Sequence, residues 1–362
     1  MKTNRFALLA LLIFSGAASA FSAGSTFSAT GVIDMLPTSM SGDASIVVGV
    51  GTLGVPNLYY TEAGGAVVIG DGCPSGISAI SGDGTTVVGC NTDAQGKWNA
   101  AKWLGGTSWL DLGTIAGGIP CDLFLSGTYG VNQDGSLAVG LLYLPQLCKA
   151  SAGTWDLTTG GASVLPNMFG SDKTYTRANA VNADGSVIVG WQDQLDGQRT
   201  AAKWVNGVEE LILTPSGGFN GEAQAVSADG NTIVGGGYDF GSSAWIWRSK
   251  QGVQPLGMNA TSEQAGAPVP AAPAAYIATD VSDDGRIAVG NVRAGITNRA
   301  CLWRRGKNQT FFLDDFIKRR GAVVPEGWSL NSASVISADG KTVYGWGINP
   351  NGQIEMFKVV LN

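Results

Sequence analysis

Histidine is absent from this 362-residue chain. This removes the commonest general base near neutral pH and leaves carboxylate chemistry open. Imidazole is the side chain whose ordinary pKa brings a charge change near neutral pH. Without it, Ser-His-Asp and Cys-His nucleophilic mechanisms are excluded. Five scattered cysteines give no spacing for an all-cysteine zinc cluster, so no metal is expected. Asn91-x-Asp93 and Asp283-Asp284-Gly285 faintly resemble calcium loops, but lack the D-x-D-x-D-G spacing and the distal Glu. Carboxylate pairs remain: Asp193 with Asp196, and Glu209 with Glu210. Two flanking carboxylates can hydrolyse a glycosidic bond. Solvated turn and strand charges explain these pairs more simply. No catalytic residue and no cofactor is assigned.

Binding is better represented than catalysis. Asp93, Trp191, Gln192, Asp193, Tyr238, Asp239, Arg293, Trp346 and Asn349 are the ligand-binding candidates. Trp191 and Trp346 each follow a glycine that ends a strand, so they should stand exposed near a loop face. An exposed indole flanked by Gln, Asp and Asn could stack on a sugar ring or hold a peptide. Ordinary packing at the rim is the competing reading.

The elements that would position these residues are written in a repeat. A ten-residue phrase returns seven times, most clearly as Val181 to Gly190 and Val226 to Gly235. Other copies start at Ile80, Val131, Val281 and Ile336, with a worn one at Met40. Each is a hairpin: a short alternating strand, an Asp-Gly turn and a β-branched strand. Gly supplies positive φ at the turn and Asp tolerates it. A third strand carries Ala-x-x-Trp and a fourth follows a short turn such as Asn206-Gly207. The unit is a four-stranded antiparallel meander. Its turn Asp residues recur about every 40 to 55 positions, the period of a β-propeller.

Trp103, Trp155, Trp204, Trp247 and Trp303 fall at one position of the third strand and should pack between neighbouring sheets. Tyr60 and Phe357 are expected to stand in for them in units one and seven. Unit seven lacks a fourth strand, whereas Phe27 to Leu36 precedes unit one and reads like one. The expected fold is all-β: a seven-bladed β-propeller of four-stranded antiparallel blades, its last blade closed by the N-terminal strand. An open solenoid is the alternative. Loop length varies only after the second strand and between units, as at Gly113 to Ser126, Gly257 to Tyr276 and Asp315 to Ser329. Rigid scaffolds carry function on such loops.

Residues 1–20 read as a signal peptide, with Lys2 and Arg5, the apolar run Phe6 to Phe14, and Ala18-Ser19-Ala20 as cleavage site. Residues 21–362 form one propeller domain, exported to the periplasm or outside the cell. Oxidising surroundings favour disulfides. Cys121 and Cys148 lie symmetrically about one Asp-Gly turn, and Cys73 and Cys90 nearly bracket another. Both pairs are expected to be bridged, with Cys301 a buried free thiol. The formal net charge is −6, which argues against nucleic acid and against an anionic membrane surface. No segment is long and apolar enough to be a membrane helix, so no membrane insertion is expected. The chain is expected to be a monomer.

The two patterns, V-[SN]-x-D-G-x-x-[VA]-x-G and the following Ala-x-x-Trp, resemble the extracellular repeat proteins named for a His-Ala-Phe (HAF) motif. The resemblance covers nearly all of residues 21–362, including Gly327-Trp328-Ser329-Leu330 and Glu355-Met356-Phe357. It implies exported bacterial propellers of loosely defined role. The family's His is replaced by Asn99, Ser151, Thr200, Ser243 or Arg299, so no role of that His carries over. Some relatives carry a C-terminal outer-membrane barrel; this chain is expected to lack that anchor. The favoured function is a non-enzymatic binding scaffold for a glycan, peptide or envelope protein. The alternative is a polysaccharide-active hydrolase or lyase using Asp or Glu with Tyr or Arg.

Overall fold

The computed structural model describes residues 24–52, 57–70, 78–115, 126–144, 147–237, 242–256, 275–294, 297–307 and 309–362. The expected signal peptide, Tyr238, Asp239, Cys73 and Cys121 lie outside them, as do most of the first two long loops.

Each repeat builds the expected meander. In unit four the strands are Thr176–Val181, Val187–Asp193, Arg199–Val205 and Val208–Ile212, hydrogen-bonded in sequence order. Units one to four are separate four-stranded sheets, and so is unit seven. Units five and six share one eight-stranded sheet, joined by the single pair Gly236–Ile277. The first strands of the units touch in a closed circuit, the last (Ser329–Ile336) meeting that of unit one (Met35–Met40).

Two backbone devices explain the repeat phrase. The residue before each turn Asp joins its neighbours in a ring of amide-to-carbonyl bonds. Gln133 N donates to Ala183 O (3.3 Å), Ala183 N to Ala228 O (3.2 Å), and Ala338 N to Gly42 O (3.0 Å), which closes the ring. In unit two the donor is Asp83, one residue later. The Ser or Asn two residues before Asp accepts the amide five residues on, as Ser227 Oγ does from Thr232 (3.0 Å) and Asn182 Oδ1 from Val187 (2.8 Å). The turn Asp accepts from the residue after the glycine, as Asp184 does from Ser186 N and Oγ (2.9 and 2.6 Å). These bonds hold Asp184 below the usual carboxylate range.

The second device is a β-bulge that the terminal glycine permits. Asn179 bulges out between Ala178, opposite Gly190, and Ala180, opposite Val189. A Cβ on Gly190 would lie 1.9 Å from Arg177 O. Equivalent collisions with the first strand's carbonyl, at 2.0 to 2.5 Å, await Gly49, Gly140, Gly235, Gly290 and Gly345. The bulged residue then ties its unit to the next. Thr38, Asn179 and Thr279 donate to Ser78 O, Ala223 O and Ala333 O at 2.6, 2.8 and 2.9 Å.

The core is divided among the seams. Among the described residues, each neighbouring pair of units encloses its own apolar cluster. Trp155, Trp204 and Trp303 are fully buried in three of these seams, and Trp103 and Trp247 are half-buried in two others. Buried indole N–H groups need acceptors; Trp155 and Trp204 donate to Gly113 O and Pro166 O at 3.1 and 2.8 Å. Tyr60 does take the tryptophan register, opposite Val47. Phe357 does not. It faces Gly345, and Val359 occupies that register opposite Val343. The phenylalanine is two residues out because the glycine leaves room for its ring.

Closure is as expected but shorter. The N-terminal strand Thr26–Ile33 pairs antiparallel with Ile354–Val360. It stops at Asp34, whose φ is +58°, so Met35 and Leu36 belong to unit one. The connection from unit six to unit seven contains a six-residue helix, Leu313–Lys318, unforeseen in an all-β reading. Leu313, Phe316 and Ile317 are buried from it, Arg299 ion-pairs with Asp314 and Asp315, and Arg320 O accepts from Ser25 N (2.9 Å). The linker thereby clamps the closing strand.

Candidate functional site on the loop face

The ring of turns lies at one end of the molecule. The expected binding residues that are described collect at the other, where first strands begin and second strands end. Their exposure departs from expectation. Trp191 is buried, 5% exposed, and the Arg199 guanidinium covers its ring at 3.5 Å. Arg177 lies 5.3 Å from the same ring and 4.7 Å from that of Tyr129. The face that was to stack on a sugar is therefore occupied by the protein's own cations. Two charged neighbours in adjacent strands caused this, and alternation within a single strand could not reveal it.

The arginines are held in turn by acids. Glu222 Oε2 accepts from Arg177 Nη2 at 2.9 Å and Glu222 Oε1 from Arg199 Nη1 at 2.6 Å. Asp193 Oδ1 accepts from Arg199 Nε at 3.0 Å. Burial raises the Asp193 carboxyl and the Arg199 charge opposes the rise. Two cations and two anions thus cancel over Trp191. Glu222, which opens unit five, was not among the expected residues; only its position four residues before the repeat phrase could have suggested it.

The other candidates divide between turns and interior. Asp93 Oδ1 accepts from Gln95 N and Lys97 N at 2.9 and 2.7 Å, closing its own loop. Asn349 is buried and donates to Glu355 (2.9 Å) while accepting from Asn351 N and Gln353 N. Trp346 is half-buried and Arg293 exposed.

Gln192 is fully buried against Glu209, which is 9% exposed. This corrects the reading of Glu209 as a solvated strand charge; Glu210 alone fits that reading, paired with Lys203 at 2.6 Å. Gln192 Oε1 faces the Glu209 carboxyl, and Gln192 Nε2 donates to Asn167 Oδ1 at 3.1 Å. Turning the amide round would satisfy Glu209 but set two oxygens together at Asn167, whose Oδ1 is fixed by Phe169 N and Thr174 Oγ1. A proton on Glu209 satisfies both ends. Burial pushes this carboxyl up to about 7.

The first strands enclose an axial channel of about 200 Å³. Asp280 and Asp283 are its carboxylates. Asp280 bridges two units by accepting from Val281 N and Ile336 N, both at 2.8 Å. Its side chain opens partly on the channel, but protein surrounds it, and that burial raises it to about 7. Asp196 caps its own turn, accepting from Gln198 N at 3.0 Å. Neither carboxylate pair found in the sequence forms two free acids facing one cavity.

Exposed apolar side chains crowd the loops of units three to five. Leu147, Met168, Tyr175, Leu195 and Phe219 are 37 to 69% exposed. Lys149 joins two of these loops, lying 5.3 Å from the Tyr175 ring and donating to Lys173 O at 3.0 Å.

This arrangement of radial antiparallel meanders is that of a β-propeller, and solved structures agree. The chain is similar to the β-propeller domain of the trilobed protease from Pyrococcus furiosus (12% identity, 92% of this chain and 95% of that one, TM-score 0.52). It is also similar to a chain of the mitotic checkpoint complex (13% identity, 100% and 99% covered, TM-score 0.50). Against TolB from Acinetobacter baumannii it aligns over 79% of its own length and spans 62% of that chain (14% identity, TM-score 0.47). No family model matches the sequence, and no curated protein matches it. The protease domain is described as having an open velcro topology, whereas the strand Thr26–Ile33 closes this ring.

Proposed function

We infer that the chain is an exported, seven-bladed propeller that binds a partner without catalysis through the loops of units three to five. The eight-stranded sheet counts as two blades, since one residue pair joins its halves. The observation that carries the reading is a group of exposed apolar side chains on these loops. Leu147, Met168, Tyr175, Leu195 and Phe219 stand exposed at the same end as the neutral Arg-Trp-Glu cluster, on loops held by rigid strands. Soluble chains seldom leave such a group uncovered without a use for it. A peptide segment or envelope protein suits apolar loops over a charge-balanced floor better than a glycan, because the indole face is already covered.

The same reading takes residues 1–20 as the export signal and the repeats as those of the His-Ala-Phe family. Cys90 and Cys148 are disulfide-bonded and Cys301 is a buried thiol. The partners proposed for the first two are Cys73 and Cys121. The enzymatic alternative is weaker: Asp193, Asp196 and Glu210 are committed to turns or ion pairs, and Glu209 is buried.

The test is a pull-down from envelope extract together with peptide and glycan arrays. Replacing Leu195 and Phe219 by Asp should abolish capture while leaving the melting temperature within about 2 °C, as exposed substitutions do. Capture equal to wild type by that double variant rejects the loop-face reading.

A further inference from the structure

The acidic total conceals a local reversal. Between units five and six a groove of about 390 Å³ runs toward the turn end of the molecule, away from the loop face. Arg248, Arg286, Arg304, Arg305 and Lys307 line it, and no Asp or Glu does. Thus five of the chain's 22 basic residues meet in one groove of a protein with net charge −6. Among the described residues only Arg286 has a carboxylate partner, Asp284, at 3.4 Å. The other four have no carboxylate ion pair among these residues, and an anion could neutralise them.

The groove is built rather than incidental. Arg304 to Lys307 form the tight turn after the third strand of unit six, with Gly306 at φ +77° and Lys307 N donating to Arg304 O at 3.0 Å. Arg305 N donates to Arg286 O at 2.7 Å, so two cation-bearing segments are fixed together. Arg248 enters from unit five and is half-buried, and its Nε is buried without a hydrogen-bond partner. A buried unpaired donor is costly unless an acceptor meets it. Burial first, and then the Arg305 charge, depress the Arg248 guanidinium. Leu256 and Ala288 give the groove an apolar floor.

We propose that this groove is a binding site for a small phosphate- or sulfate-bearing molecule. Guanidinium forks match tetrahedral oxyanions two bonds at a time. The volume falls in the range of small-molecule pockets, and the floor accepts a carbon skeleton. The site lies at the opposite end from the loops of units three to five, so it stands or falls apart from that reading.

The experiment is titration calorimetry of the full-length chain with inorganic pyrophosphate and, separately, with a sulfated disaccharide, in 150 mM salt. At least one probe should bind saturably, and which one does identifies the source of the oxyanion. Arg305→Glu, on an exposed turn, should weaken that binding tenfold or more, and Arg248→Met should weaken it comparably. Lys173→Glu makes the same change of charge at a distant surface and should leave binding within about twofold. Two results overturn the site: no saturable binding of either probe, or equal loss in Arg305→Glu and Lys173→Glu. Because Arg305 is solvent-exposed, its variant decides the matter even if Arg248→Met misfolds.

Discussion

At one end of this molecule, amides and carbonyls from all seven repeat units close a ring, and every turn is capped by an Asp at the same position. At the other end the described connections differ: an Arg-Trp-Glu cluster, a buried glutamate, and a helix clamping the closing strand. The turn end is where backbone geometry dictates residue type. The loop end is where side chains are free to vary because the strands beneath already fix the scaffold. Substitutions at the turns and seams should therefore cost stability and spare binding, and those on the loops should do the reverse.

The largest effect expected is at a seam. Trp204 is fully buried between units three and four, with its indole N–H bonded to Pro166 O. Trp204→Ala should destabilise by about 4 kcal/mol, as large-to-small changes in cores do. The midpoint of denaturant unfolding measures this. A loss under about 1 kcal/mol would mean that the seams are not the core, and the contrast between the two ends would fail with it.

Gly190→Ala comes next. The added methyl would meet Arg177 O at 1.9 Å, and backbone cannot step aside as a flexible side chain can. A cost of about 3 kcal/mol is expected, at the upper end for overpacking. Arg177 also carries the guanidinium that pairs with Glu222, so the shift should reach the loop face. This variant sharpens the comparison by showing how far the two ends are coupled.

Glu209 tests the loop end through pH. Its carboxyl titrates near 4.5 when exposed and at about 7 when buried. Between those values the unfolded chain binds fewer protons than the folded one, so stability falls as pH rises through this window. The effect is on the order of 2 kcal/mol, below the ~3 kcal/mol that such a shift allows. Glu209→Gln keeps an N–H for Gln192 and an oxygen for Met168 N but cannot ionise. It should flatten the decline and be more stable than wild type at pH 8. The turn carboxylates Asp184 and Asp43 act oppositely: their depressed carboxyls support the fold above the ordinary range, and that support goes as pH drops below it.

The repeat made the fold readable because backbone constraints leave period-wide marks: the turn glycine, the bulge glycine and the Asp that caps the turn each recur. Closure was readable for the same reason, although Asp34 with its positive φ ended the strand three residues early. The site was less readable. Trp191 seemed exposed because it follows a strand-ending glycine. Its cover, Arg199, comes from the next strand, and the acid holding Arg199 comes from the next unit. Glu222, Asp280 and the basic groove share this property. Each depends on residues brought together from different units, and no single repeat records that meeting. Net charge misled in the same way, since summation removes the clustering that matters.

The smallest effect concerns the one turn that breaks the pattern. Ala44 stands where six other units have glycine, at φ +62°. Placing an alanine in that region costs roughly 1–2 kcal/mol, so Ala44→Gly should gain by that reasoning alone. Two terms oppose it. The Ala44 methyl is buried, 8% exposed, in the seam between units seven and one, and a buried methyl is worth about 0.8 kcal/mol. Glycine also releases backbone entropy in the unfolded chain, roughly 0.5–1 kcal/mol. The three nearly cancel, so Ala44→Gly should change stability by less than about 0.5 kcal/mol. Gly185→Ala keeps the entropy gain but not the packing gain: its methyl would sit 3.0 Å from Leu137 Cδ2 at φ +80°. That variant should lose about 1–2 kcal/mol. Equal effects from the two substitutions would show that turn geometry alone sets the residue, and that the seam behind unit one contributes nothing to the choice.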